Sequence, residues 1–338
     1  MTSRSAFDPI RLPSGSFVSQ PRVEQTEVRF VAMGTWCHII VVGGDPSLLV
    51  DGELQVRELE RVWTRFDPTS ELSQLNERAG HVVQVSAEMA ILVQRSIRGF
   101  ALTGGLFDPF LGREIVEAGY DRDFSELAAP SPANAPSNVE HRVLTMDGKF
   151  HFAGGRVSTR RAPARIDMTK RLVRLEPGAH LDSGGLGKGL GADLVSEYLM
   201  SHGAAGALVN LGGDLRVRGA YPSGGWQIGI DNPRDESGPP SATVNLTGGG
   251  LCTSTSLRRR WQDADGNNAH HVLDPRTGRP AHITADAVTA IAPAGWLAEV
   301  WSKTVLIAGQ RRGARLLRRS PRCAALVFAA DGSFVQLP

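Results

Sequence analysis

No run in the chain is long and apolar enough to span a bilayer. The first thirty residues carry Arg4, Arg11 and three prolines, but neither the hydrophobic core of a signal peptide nor a lipid-attachment cysteine. Residues 1–26 are therefore expected to be a disordered lead-in, and the protein to be cytoplasmic without membrane insertion. Cysteine is scarce: Cys37, Cys252 and Cys323 are far apart, odd in number and without metal-ligand spacing. Buried free thiols in a reducing compartment are expected. Neither charge sign is in excess, since 37 basic and 35 acidic residues leave a net charge of +2. Bulk electrostatics thus give no case for a nucleic-acid or membrane partner. The clusters Arg258-Arg259-Arg260 and Arg311 to Arg319 lack interleaved aromatics, and a solvated helix face explains the second. The P-loop and dinucleotide fingerprints are absent too, so the standard nucleotide folds are not implied.

What remains is an ordinary globular composition, 41% hydrophobic over 338 residues, with volume for one large domain or two. Its organising stretch is Leu181 to Asp193, Leu-Asp-Ser-Gly-Gly-Leu-Gly-Lys-Gly-Leu-Gly-Ala-Asp, with an acid near each end. The apolar run Leu190, Leu194, Val195, Tyr198 and Leu199 then reads as a helix closed by Gly203. A glycine-rich turn opening a helix lets backbone amides approach a phosphate, and Lys188 would add a full positive charge. The plain alternative is a turn that packs a helix tightly on a sheet.

Upstream, two strands flank Met33-Gly34-Thr35, with folded structure starting near Glu27. A helix follows Asp45-Pro46, with Val56, Leu59, Val62, Trp63 and Phe66 at helical spacing. A short helix at Ser70 to Asn76 comes next, then a helix capped by Ser86 that ends at Gly104-Gly105. Ser125 to Asn138, rich in Pro, Ala and Ser, marks a hinge between two lobes near 125–140 or an insertion. Downstream, Ala207 to Leu211 reads as a buried strand ending in Gly212-Gly213-Asp214. Several more strands follow, then a helix from Trp296 to Ala308 and a closing hairpin around Asp331-Gly332. The mixture implies an α+β arrangement without strict βαβ repetition.

Taken singly, the polar sites are unspecific. Asn210 and Asp214 could merely satisfy backbone groups at a strand end. His271 sits in a tight turn, where it is either structural or a base presented by a turn that Asp274 shapes.

In order, however, the set resembles the ApbE family of FAD:protein FMN transferases. The pieces are Met-Gly-Thr at 33, Arg-Phe-Asp-Pro and Ser-Glu-Leu-Ser-Gln-Leu-Asn from 65 to 76, and Phe-Asp-Pro at 107. They continue with Leu-Asp-Ser-Gly-Gly-Leu-Gly-Lys-Gly at 181, Val-Asn-Leu-Gly-Gly-Asp at 209, Thr253-Ser254, and His-Val-Leu-Asp-Pro-Arg-Thr-Gly-Arg-Pro at 271. The resemblance implies an α+β fold of mixed or antiparallel sheets with packed helices, related to the T-fold, over residues 27–338. It also implies transfer of the FMN half of FAD to a threonine or serine hydroxyl of an acceptor protein, leaving AMP. Met33, Phe66, Leu106, Phe107, Asp108, Asp182, Lys188 and Val272 would hold FAD. His271 would deprotonate the acceptor hydroxyl from the turn that Asp274 shapes. Magnesium would sit on the Gly185 carbonyl and an acidic residue at 299.

One departure stands out. The family completes the metal site with an aspartate and a threonine four residues apart, where this chain has Glu299 and Lys303. An ammonium group cannot ligate a metal. The two residues are a plain i,i+4 pair, a weakened metal site, a metal site shifted to use Thr304, or a site in which Lys303 supplies the charge of the ion. Loss of transfer would leave an FAD-binding module, and water as nucleophile would make an FAD pyrophosphatase. Arg258 to Trp261 is expected to form a basic rim on the acceptor side.

Overall fold

Strands Gln25–Ala32 and Thr35–Val42 form an antiparallel hairpin. Phe30 and Ala32 face the core while Arg29 and Val31 are exposed, the alternation that a half-buried strand requires. The two linking residues, Met33 and Gly34, have φ of 53° and 62°, as the tightest hairpin turn demands. The computed structural model describes residues 24–122, 161–222, 225–234, 238–263, 266–320, 322–329 and 333–338. Most of the expected lead-in, the 125–140 hinge or insertion, and the tip of the closing hairpin lie outside the described residues.

This hairpin begins an eight-stranded sheet. The order continues through Gly206–Leu211, Asp214–Gly219, Gly249–Thr255, Ala287–Ala292, Ala324–Phe328 and Phe334–Leu337. Every neighbouring pair is antiparallel. Gly206–Leu211 is buried on both faces, so it reads as a continuous apolar run rather than an alternation. Ala207, Val209 and Leu211 pack with Val56, Leu59, Leu190 and Leu199 on one side. Leu208 packs with Trp226, Ile230 and Leu246 of the small hairpin Trp226–Ile230 and Ala242–Leu246 on the other.

Between residues 42 and 206 the chain supplies the helices Leu48–Trp63, Glu71–Glu77, Ala87–Thr103 and Gly112–Glu117. A three-stranded sheet of Val82–Gln84, Leu172–Leu175 and Ala164–Asp167 and the glycine-rich helix Gly187–Ser201 complete that segment. The expected late helix is present as Gly295–Ala308. It packs Trp301 and Val305 against Cys252, Val288 and Ala290 of the sheet.

The two helices that matter most are locked together at their starts. A Cβ on Gly189 would lie 2.5 Å from the Gly295 carbonyl oxygen, a separation only glycine permits. Asp193 of the first helix accepts the Gly295 and Trp296 amides at 2.9 Å each, capping the second with a carboxylate where its dipole is positive. Arg216 lies 3.3 Å from that carboxylate. All three cysteines are buried and free.

Candidate functional site

The glycine-rich turn is held from below. Asn76, last residue of the Ser-Glu-Leu-Ser-Gln-Leu-Asn motif, accepts the Leu181 amide at 2.8 Å and donates to the Leu181 carbonyl at 2.9 Å. Asp182 caps the following 3-10 turn, Ser183–Gly185, by accepting the Gly184 amide at 2.9 Å. The Ser183 hydroxyl donates to the Trp63 carbonyl at 2.8 Å. The glycines of this stretch divide their labour. Gly184, Gly185 and Gly187 line a cavity, whereas Gly189 seats the late helix.

That cavity has a volume of about 720 Å³, in the range of small-molecule sites. Met33, Phe66, Leu106, Phe107 and Asp108 line it, joined by Asp182, Gly185 and Lys188 of the glycine-rich segment. His271, Val272 and Lys303 complete the set of expected residues found there. Asp274 does not line it. Its carboxylate accepts the Arg276 amide at 2.9 Å and the Arg276 guanidinium at 2.6 Å, and that hydrogen bonding holds its pKa down. Asp274 thus organises the turn that presents His271. Glu299 is also behind the wall, with its side chain fully buried.

One wall is cationic. The Lys188 ammonium contacts Asp214, which is 2% exposed and also accepts the Thr253 amide at 3.2 Å. Burial works against the charge of Lys188, but Asp214 and Glu299 outweigh it and raise its pKa. Lys303 donates to Glu299 at 2.8 Å. Arg259 lines the same wall. His271 has its Nδ1 buried without a hydrogen-bond partner among the described residues. Burial first, then the charges of Arg259, Lys303, His270 and Lys188, push its pKa down to about 3. The imidazole is therefore neutral, the form a general base needs.

Another part of the lining is aromatic, and only half of it is visible in the sequence. Arg65 lies 4.2 Å from the centre of the Phe66 ring and 4.4 Å from that of Tyr120, a cation held between two π faces. It donates to the Tyr120 carbonyl at 2.7 Å and stands 3.7 Å from Asp182. Its Nη2 is buried without a partner among the described residues. Arg65 belongs to a quoted motif, which was the available signal; Tyr120 had none. Trp261, expected on a basic rim, is instead 4% exposed. Its ring packs 5.3 Å from Tyr120, and its indole donates to the Ala118 carbonyl. Glu60, a helix-surface residue by spacing, turns inward to accept the Met33 amide, which holds Met33 in its left-handed backbone.

The residues at 185, 299 and 303 do not fit a divalent ion. Both Glu299 oxygens are engaged, one by the Gly189 amide at 2.7 Å and the other by Lys303. Thr304, the alternative ligand, is fully buried and donates to the Val300 carbonyl at 2.7 Å. Among the described residues no group of three or more His, Cys, Asp or Glu side chains is arranged to hold a metal ion.

With this geometry in place, the chain can be set beside known proteins. An FAD:protein FMN transferase of Treponema pallidum is 28% identical over 335 residues, covering 94% of this chain and 88% of the relative. One of Salmonella typhimurium is 28% identical over 298 residues, covering 85% and 79% respectively. Among solved structures, the ApbE protein of Thermotoga maritima has the same fold, with a TM-score of 0.73 at 24% identity over 93% of this chain and 97% of that one. The flavin transferase ApbE of Vibrio cholerae does so at a TM-score of 0.70 and 22% identity, over 93% and 96%. The ApbE family model itself matches residues 33–327, and the chain belongs to the ApbE family.

Proposed function

We propose that this protein transfers the FMN half of FAD onto a threonine or serine hydroxyl of an acceptor protein and releases AMP. The observation that carries the reading is the convergence of neutral His271 with Lys188, Lys303 and Arg259 on one side of a cavity whose other side is aromatic. The isoalloxazine ring has the apolar surface to match Phe66, Leu106 and Phe107. The diphosphate has the charge to match the lysines.

In the reaction the acceptor oxygen attacks the phosphorus on the FMN side. The bond from that phosphorus to the bridging oxygen breaks, and AMP departs with the oxygen and its electron pair. His271 takes the hydroxyl proton. Lys188 and Lys303 sit where negative charge gathers as the bond breaks, and they are fixed in advance by Asp214 and Glu299. Such fixed charge requires no reorganisation during the step. The diphosphate also offsets the cations that add to burial in depressing the pKa of His271, so its basicity rises once FAD is in place.

Intact mass of an acceptor fragment carrying a target threonine, after incubation with this protein and FAD, tests the reading. A gain of one FMN phosphoryl adduct with matching AMP supports it. AMP without a gain would make the protein an FAD pyrophosphatase. Bound FAD with neither product, repeated on a second acceptor, would leave a binding protein.

A further inference from the structure

The pair Glu299 and Lys303 is not a solvated helix face. Side-chain exposure is 0% for the glutamate and 16% for the lysine, so both charges have been taken largely out of water. A buried ion pair gives little net stability over apolar packing, because desolvation offsets most of the attraction. Its presence therefore calls for another reason, and the cavity supplies one. The Glu299 carboxylate is anchored from behind by the Gly189 amide, at the point where the two helices cross. The ammonium it holds opens onto the same cavity as Lys188. Lys188 is built the same way, with its charge rooted on buried Asp214. Two lysines on different helices thus present ammonium groups to one space, each tethered to a buried carboxylate.

We infer that Lys303 is a permanent cation built into the diphosphate site, and that this protein binds FAD and transfers FMN without a divalent metal. This rests on the FAD reading above. A divalent ion at the Gly185 carbonyl would have to displace Lys303 from Glu299 or stand beside its positive charge. With the lysine in place the charge is covalently part of the protein. It does not dissociate, and its ammonium group donates charge-assisted hydrogen bonds to phosphate oxygens.

The test is FAD affinity of the full chain, read by flavin fluorescence, after metal removal with EDTA and again with magnesium added. Wild-type affinity in EDTA should match that in magnesium within about twofold. Lys303→Gln should weaken FAD binding by about tenfold or more in both buffers, with Lys303→Arg recovering most of the loss. FMN transfer by the wild type should persist in EDTA. A tenfold or greater tightening of wild-type binding by magnesium overturns the inference, as does transfer that stops in EDTA or a Lys303→Gln variant that binds FAD as well as wild type. Should Lys303→Gln not fold by circular dichroism, the wild-type comparison decides alone. Failure of the wild type to bind FAD in either buffer would instead bring down the functional reading on which this one stands.

Discussion

The two walls of the cavity are built on opposite plans. The cationic wall places Lys188 and Lys303 on helices and ties each to a buried partner, Asp214 and Glu299. The aromatic wall gathers Arg65, Phe66 and Tyr120 from segments outside regular structure and holds them by stacking and one carbonyl. The first wall has charges fixed before any ligand arrives, which is what stabilising a reaction step requires. The second offers area and shape, which is what recognising a flat ring requires.

Substitutions on each side can break or sharpen this contrast. His271→Ala should slow FMN transfer by about 10²- to 10⁴-fold, the usual contribution of a positioned base, with FAD affinity nearly unchanged. Single-turnover transfer followed by intact mass reads the effect, and an unimpaired rate would reduce the cationic wall to a binding surface. In the proposed reaction His271 acts when neutral, and its pKa in the free protein lies at about 3. The pH profile of kcat/KM for FAD should therefore stay level as pH falls through about 6.5, the ordinary histidine value. The acid limb of kcat should lie at higher pH than that of kcat/KM, because bound diphosphate offsets the cations. An acid limb in kcat/KM at the ordinary histidine position would show that neither burial nor the charges around His271 depress its pKa.

A smaller effect is expected where the helices cross. Gly189→Ala should destabilise the fold by about 1–3 kcal/mol in urea unfolding, because the new methyl meets backbone rather than a side chain that can move. It should also loosen the Glu299 anchor and slow transfer. Unchanged stability would mean that the crossing is not tight. The smallest change belongs to the aromatic wall. Arg65→Met should weaken FAD binding by roughly 2- to 30-fold, the range of a desolvated cation–π contact, while leaving the transfer rate at saturation intact. A loss of rate at saturating FAD would move Arg65 to the chemical side of the site.

Much of the site was legible because it is made of local motifs. Asp182, Gly185 and Lys188 fall within one turn and the helix it opens, and their spacing alone puts them together. The strands around Met33, the late helix and the α+β class also follow from period and turn signals. Asp214 was read as a strand-end residue satisfying backbone groups. It does that for Thr253, but its main partner is Lys188, 26 residues away, and no local pattern reports such a contact. Trp261 beside three arginines reads as an exposed basic rim, yet its ring is drawn under Tyr120. Asp274 and His271 lie three residues apart, but one shapes the turn and only the other reaches the cavity.

The sequence by itself determined the family, the glycine-rich turn, the candidate base, and the presence of a lysine at position 303, four residues after Glu299. Those are properties of residue type and spacing, which survive without coordinates. Only the tertiary structure decided whether the Glu299 and Lys303 pair is a surface ornament or part of the site. Helical spacing brings the two side chains together on any helix. Burial, the Gly189 amide on one carboxylate oxygen and the cavity beyond the ammonium exist only once the two helices have crossed.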